Sequence, residues 1–238
     1  MAVGRVVLID LDDTLVADRA AAREAMARTL RAVGHGGGHD QVEWVLAAAR
    51  RHWRDGPFHA RLRDLGVSSW EGLWADLTLP ALPGAGAWGR AYRERVWAEA
   101  ALPAGRRAAD VAAEFVRVRE ALVRPLPGAA AAVRRFARAH ELWLVTNGAA
   151  RLQRRKLRLS GLDRYVSRVF VSAEVGHAKP HPAFFRAVVA ALDGRPVCAL
   201  VGDSPAHDLR PAADHGWPAV DVAVRGIGGV ELPCGHGA

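Results

Sequence analysis

The sequence predicts an α/β fold: a parallel sheet covered by helices on both faces, interrupted by an all-helical insertion. Three observations carry that prediction. Short apolar runs of strand length alternate with helical patterns over residues 125–223. Another such run, RVVLI at 5–9, stands by itself, about 110 residues ahead of the point where that alternating pattern begins. The stretch between, from about 18 to 123, shows helical periodicity and no convincing strand.

Each element has its own justification. RVVLI is continuously apolar, the pattern of a strand buried on both faces, and it ends in the acidic cluster Asp10-Leu11-Asp12-Asp13-Thr14. Asp18 is placed to N-cap an Ala-rich helix that Gly34 stops. Val42, Val45, Leu46, Ala49 and Trp53 recur at helical spacing, and Val111, Phe115, Val118 and Leu122 form a second stripe. After Pro125-Leu126-Pro127-Gly128, a helix at 129–139 leads into a strand at 141–145 that ends at Thr146-Asn147-Gly148. A helix near 149–159, a strand at 169–171, a helix at 182–192, a strand at 197–201 and a last strand near 219–223 complete the pattern. Strands alternating with helices of this length imply right-handed crossovers in one sheet. RVVLI belongs to that sheet, so the expected organisation is a core of residues 1–15 and 125–238 with a helical domain, 16–124, inserted.

Composition narrows the classes. The 238 residues are half apolar and 24% charged, enough for a sizeable core without a staple. Cys198 and Cys234 cannot by themselves build a disulfide framework or a zinc cluster; Cys198 is read as strand packing and Cys234 as part of an unstructured Gly-rich tail. No apolar run reaches membrane-spanning length, and residues 1–15 lack the basic start and cleavage site of a signal peptide. The expectation is a cytoplasmic protein with no membrane partner. The formal charge of +8 is spread evenly, with 17 basic and 13 acidic residues in 16–125 and the same excess outside. That spread argues against a nucleic-acid partner and still suits attraction of a small anion.

In an open parallel sheet, ligands gather beyond the carboxyl ends of the strands. Three polar clusters fall there: Asp10/Asp12/Thr14, Thr146/Asn147/Gly148, and Gly202/Asp203/Ser204 with Asp208. Two carboxylates two residues apart repel each other unless a cation or proton intervenes. With Asp203 they make a hard oxygen site suited to Mg²⁺ and a substrate phosphate, and such carboxylates can serve as nucleophile and proton carrier. Lys179 supplies the balancing charge; it and Lys156 are the only lysines among 33 basic residues.

These residues carry a resemblance. IDLDDTL (9–15), VTNG (145–148), AKPHP (178–182) and VGDSPAHD (201–208) match, in order and spacing, the four motifs of the haloacid dehalogenase (HAD) superfamily. The resemblance covers residues 1–15 and 125–223 and implies a Rossmann-like core with a helical cap inserted between motifs one and two. It implies a Mg²⁺-dependent phosphatase acting on a small phosphate monoester through an aspartyl-phosphate. Asp10 would be the nucleophile and Asp12 the general acid and base. Asp10, the Asp12 carbonyl and Asp203 would hold Mg²⁺, with Asp208 acting through water or by orienting Lys179. Thr146 and the Asn147 N–H would hold phosphate oxygens. Asp12 separates this reading from the haloalkanoate dehalogenases, whose halide leaves without a proton. DDT where many relatives have DGT, TNG, and QRRKLRLSGLDRYV (153–166) look like the pyrimidine 5′-nucleotidases and N-acylneuraminate-9-phosphatases. A nucleoside monophosphate, a sugar phosphate or a biosynthetic intermediate is the implied substrate class. A phosphosugar mutase and a non-catalytic or nucleic-acid-binding scaffold are the alternatives.

The remaining signals have ordinary readings. Six of eight tryptophans (Trp44, Trp53, Trp70, Trp74, Trp88, Trp97) lie in the insertion and are read as packing between helices. His35-Gly36-Gly37-Gly38-His39 is read as a flexible loop. His177, His181 and His207 flank motifs three and four without metal-ligand spacing, and Arg151–Arg158 is read as a solvated helix face.

Overall fold

The structure is a computed structural model describing residues 5–100 and 106–234; the end of the Gly-rich tail lies outside the described residues. The chain divides into two compact units, Met1–Ala17 with Arg124–Ala238, and Asp18–Val123. Strand β1 (Val6–Ile9) opens the first unit. The second unit then supplies α1 (Arg19–Ala32), α2 (His39–Arg54), α3 (His59–Asp64), α4 (Ser69–Gly72), α5 (Ala85–Glu99) and α6 (Ala108–Ala121). The first unit resumes with α7 (Ala129–Phe136), β2 (Glu141–Thr146), α8 (Ala150–Leu159), β3 (Val166–Val171), α9 (Ser172–Val175), α10 (Pro182–Leu192), β4 (Val197–Gly202), α11 (Arg210–Asp214) and β5 (Ala219–Asp221).

The sheet order is β3-β2-β1-β4-β5 and every pair is parallel. β1 is central, and its side chains alternate between two cores. Val7 and Ile9 pack with Ala129, Ala132, Val133 and Phe136 of α7. Val6 and Leu8 pack with Phe184, Phe185, Val188 and Leu192 of α10. Burying each such aliphatic chain contributes about 1.5–3 kcal/mol, which explains why RVVLI has no polar alternation. β3 begins at Val166, three residues before the apolar run predicts, because this edge strand leaves Ser167 and Arg168 exposed. Among the described residues no helix is long and apolar enough to cross a membrane.

The helical unit has its own core. Val42, Val45, Leu46, Ala49 and Trp53 on α2 are buried, as are Val111, Phe115, Val118 and Leu122. Trp53, Trp74 and Trp97 are buried, and Trp53 and Trp88 both meet Tyr92, at ring centroid separations of 5.2 and 5.4 Å. Trp44 is the exposed member, at 42%. Three sequence expectations need correction. Asp18 occupies the N-cap position of α1 but makes no side-chain cap; its carboxylate pairs with buried Arg119 and accepts the Trp70 indole N–H at 2.8 Å. The His35–His39 segment is not wholly exposed to solvent, because Gly37 is buried at φ 66° and a Cβ there would meet the Ala27 carbonyl oxygen at 2.4 Å. Cys234 is not in a structureless tail: it is disulfide-bonded to Cys198 on β4, with Cα atoms 5.5 Å apart.

Candidate active site

Register brings the three polar clusters together. Ile9 is level with Leu144 on β2 and with Val201 on β4, and the Asp10 N–H donates to the Val201 carbonyl at 2.9 Å. Strand β1 therefore delivers Asp10 to the same edge as Thr146 and Asp203. This is where the strand order reverses direction, the usual place for a ligand crevice in a parallel sheet. Beyond Asp10 the chain folds back at once: the Asp13 N–H donates to the Val16 carbonyl at 2.7 Å, and the Leu15 and Val16 N–H groups both donate to Leu11. Asp13 takes the left-handed conformation, φ 57°, at the apex.

Lys179 is the hub. Its Nζ donates to Asp10 Oδ1 at 2.8 Å and to Asp208 Oδ1 at 2.6 Å, and all three residues are buried. The loop carrying Lys179 is clamped by Asn147, whose Oδ1 accepts the Lys179 N–H at 2.7 Å and whose Nδ2 donates to the Lys179 carbonyl at 3.0 Å. Asp208 rides on a turn of π-helix, Pro205–Leu209, and its Oδ2 accepts the Ser204 N–H at 3.2 Å. Gly202 makes room for it: a Cβ at 202 would lie 2.4 Å from the Asp208 carboxyl carbon. Asp10, Asp203 and Asp208 each present a carboxylate oxygen, all within 4.8 Å of one another.

The electrostatics follow from burial. Desolvation pushes the Asp10 carboxyl up from 3.8 to about 7; Lys179 opposes the rise and Asp208 adds to it. Burial works against the Lys179 ammonium, but Asp10 and Asp208 together outweigh it and hold that group above the ordinary lysine range. Three clustered carboxylates against one ammonium leave an excess of negative charge at a hard oxygen site. That donor set fits Mg²⁺.

Asp12 has different partners. Lys156 Nζ donates to both its carboxylate oxygens, at 2.9 and 2.8 Å, and Gln153 Nε2 donates to Oδ2 at 2.9 Å. Both partners sit on α8 and are fully buried. The Arg151–Arg158 run is therefore not one solvated face: Arg151, Arg155 and Arg158 are exposed, while Leu152, Gln153, Lys156 and Leu157 turn inward. The spacing of 153 and 156 beside two leucines, and the rarity of lysine in this chain, were the signals that mark them.

The other expected residues are nearby or at the edge. Thr146 is buried at the end of β2, its Oγ1 3.3 Å from the Asn147 carbonyl. Thr14 Oγ1 reaches Asp203 Oδ1 at 3.4 Å. His177 stacks on His181 with centroids 4.3 Å apart, and the His181 Nδ1 accepts the Ala183 N–H. His207 is exposed and its ring lies 3.1 Å from Ser204 Oγ, so it contacts neither Lys179 nor a carboxylate of the cluster through any described hydrogen bond.

Comparison with known proteins identifies the family. Residues 5–216 match the family model of the haloacid dehalogenase-like hydrolases. The chain is 38% identical to a phosphoserine phosphatase of Thermus thermophilus over 224 residues, covering 92% of this chain and 88% of that protein. It is 30% identical to the pyrimidine 5′-nucleotidase YjjG of Escherichia coli over 97 residues, 40% of this chain and 43% of that one. Among solved structures, the putative HAD-hydrolase YfnB of Bacillus subtilis bound to magnesium superposes with a TM-score of 0.61 at 20% identity, over 91% of this chain and 87% of that one. The four motifs, the parallel sheet and the family match agree, and the chain belongs to the haloacid dehalogenase-like hydrolases, as an enzyme that is a phosphoric monoester hydrolase of that superfamily.

Proposed function

We propose that this enzyme hydrolyses a small phosphate monoester with Mg²⁺ bound, through an aspartyl-phosphate on Asp10. The observation that carries the reading is Lys179 Nζ bridging Asp10 and Asp208 beside a second, separately held carboxylate, Asp12. Asp10 attacks phosphorus: a bond forms between its carboxylate oxygen and phosphorus while the bond to the leaving alcohol breaks. Asp12 gives its proton to that departing oxygen. A water then attacks the same phosphorus, Asp12 takes the water's proton, and the Asp10–phosphorus bond breaks to release phosphate. Lys179, Thr146 and the Asn147 N–H offset charge on the phosphoryl oxygens, the part of such a reaction that positioning and electrostatics dominate. Asp10, Asp203 and the Asp12 carbonyl would hold Mg²⁺, with Asp208 acting through water or through Lys179. When bound, the ion neutralises charge on the transferred group.

The division of labour we propose is catalysis by the core of residues 1–15 and 125–238, with 16–124 as the family's helical cap. For the substrate, we put a phosphorylated hydroxy amino acid first, a reading supported by the likeness to the Thermus phosphoserine phosphatase, ahead of the nucleotides and sugar phosphates that the motif resemblance suggests. The test is phosphate release from a panel of O-phosphoserine, nucleoside monophosphates, sugar phosphates and p-nitrophenyl phosphate, with Mg²⁺ or chelator. Release should require Mg²⁺, fall at least about 10³-fold in Asp10→Asn, and rank O-phosphoserine highest. Isomerised product without free phosphate would replace this reading by the mutase.

A further inference from the structure

We propose that Lys156 and Gln153 are positioning residues that fix the carboxylate of Asp12 for proton transfer, an inference that rests on the phosphatase reading above. Lys156 Nζ lies 2.9 and 2.8 Å from the two oxygens of Asp12, and Gln153 Nε2 lies 2.9 Å from one of them. The ammonium contacting both oxygens fixes the direction in which the carboxylate points, and the off-axis bond from Gln153 to one oxygen opposes rotation about that direction. The same Gln153 Nε2 is 2.5 Å from the Asn147 carbonyl. Asn147 in turn grips the backbone of Lys179, and Lys179 holds Asp10. The proton carrier and the nucleophile are thus tied into one hydrogen-bonded frame running from α8 through the end of β2 to the end of β1.

The position is an expensive one for packing alone. Lys156 is fully buried on a helix whose other inward residues are Leu152, Gln153 and Leu157. Removing an ammonium from water is unfavourable, and apolar residues of similar size commonly replace buried ion pairs with no loss of stability. The side chain of Asp12 remains 24% exposed, so its partner holds a group that still reaches outward. An Asp12 carboxylate oriented through both oxygens and still partly exposed can take the proton of the attacking water and return one to a leaving group. Misorientation of a proton-transferring group lowers the chemical step and leaves binding of the ester largely intact.

Leaving-group dependence tests this directly. An alkoxide needs the proton of Asp12 as it departs, whereas p-nitrophenolate leaves without one. The full-length enzyme and its Lys156→Met, Lys156→Arg and Gln153→Leu variants are compared in Mg²⁺, using the alkyl ester that ranks first in the panel and p-nitrophenyl phosphate. Circular dichroism and the thermal midpoint establish that each variant is folded, and Gln153→Leu carries the test if Lys156→Met is not. For Lys156→Met, kcat on the alkyl ester should fall about 10²-fold with KM changed less than about 3-fold. Nitrophenolate release in the first turnover should change less than about 3-fold. Lys156→Arg should recover part of the alkyl-ester rate, and Gln153→Leu should show the same pattern at about 10-fold. Equal losses on the two esters in the first turnover, no loss on either, or a loss confined to KM would each overturn the inference while leaving the phosphatase reading intact. Wild-type enzyme that releases no phosphate, or that releases it equally from Asp10→Asn, would overturn both.

Discussion

At the scale of the residue, the site depends on two backbone positions as much as on its carboxylates. Asp13 sits at φ 57°, where a β-carbon crowds the following carbonyl; Asp and Asn tolerate this region better than other residues, and Gly best. Asp13→Gly should therefore leave the unfolding free energy within about 0.5 kcal/mol, whereas Asp13→Val should lower it by about 1–2 kcal/mol, as read by denaturant unfolding. Gly202 matters for a different reason, the 2.4 Å that a Cβ would leave to the Asp208 carboxyl carbon. Gly202→Ala must push Asp208 aside and with it one of the two anchors of Lys179. It should cut kcat about 10²-fold while the circular dichroism spectrum stays unchanged. Asp10, Asp12, Lys179 and Asp203 are legible in the sequence because each closes a strand or opens a loop at a predictable edge. Lys156 is less so, since it stands mid-helix among arginines; the rarity of lysine and its spacing beside Leu152 and Leu157 single it out, and its place on the buried face of α8 shows why.

At the scale of the element, periodicity identifies what has a single apolar face and fails where a side chain has two uses. The stripes on α2 and α6 and the run of β1 read directly from the sequence, because their partners are simply other apolar residues. Edge strand β3 is half hidden by exposed polar residues. Asp18 is the instructive case: its type and place suggest a cap, yet a buried guanidinium from α6 outcompetes the amides of α1 for its carboxylate. Arg119 lies over the Trp74 ring, 4.4 Å from its centroid, and also donates to the Asp18 carbonyl at 3.2 Å. Such a pairing between residues 101 apart has no sequence signature. It makes a clear prediction for the helical unit. Arg119→Ala leaves the Asp18 carboxylate buried without its cation and should cost about 3–5 kcal/mol in thermal or denaturant unfolding. Removing both charges together, as Asp18→Asn with Arg119→Met, should cost well under the sum of the single changes. Additive losses would mean that the two residues stabilise the unit independently.

At the scale of the whole chain, the core unit carries its candidate site and its covalent tie at opposite ends of one strand. Gly202 closes β4 at the carboxyl edge, next to Asp203; Cys198, near the start of β4, is bonded to Cys234, 36 residues on. The segment so closed includes α11 and β5 and ends in a stretch that lays Ile227, Val230 and Leu232 against the core face bearing Val7 and Ile9. Arg135 from α7 donates to the Val230 carbonyl at 2.6 Å, which holds the same stretch without any sulfur chemistry. The bond therefore acts mainly on the unfolded chain, where closing a loop of this length removes conformational freedom worth about 2–4 kcal/mol. Cys234→Ser should lower the unfolding free energy by that amount in the absence of reductant, and wild-type enzyme with reductant should unfold with the variant. Thiol titration of the untreated native protein should find no free cysteine. Turnover should be unchanged, because Lys179, Asp10 and Asp208 are fixed by hydrogen bonds at the other edge of the sheet. Coincident unfolding of variant and wild type without reductant would show that the apolar contacts of the last stretch alone account for its attachment. A fall in turnover matching the fall in stability would show instead that the two ends of β4 are mechanically coupled, so that loosening Cys198 reaches Asp203.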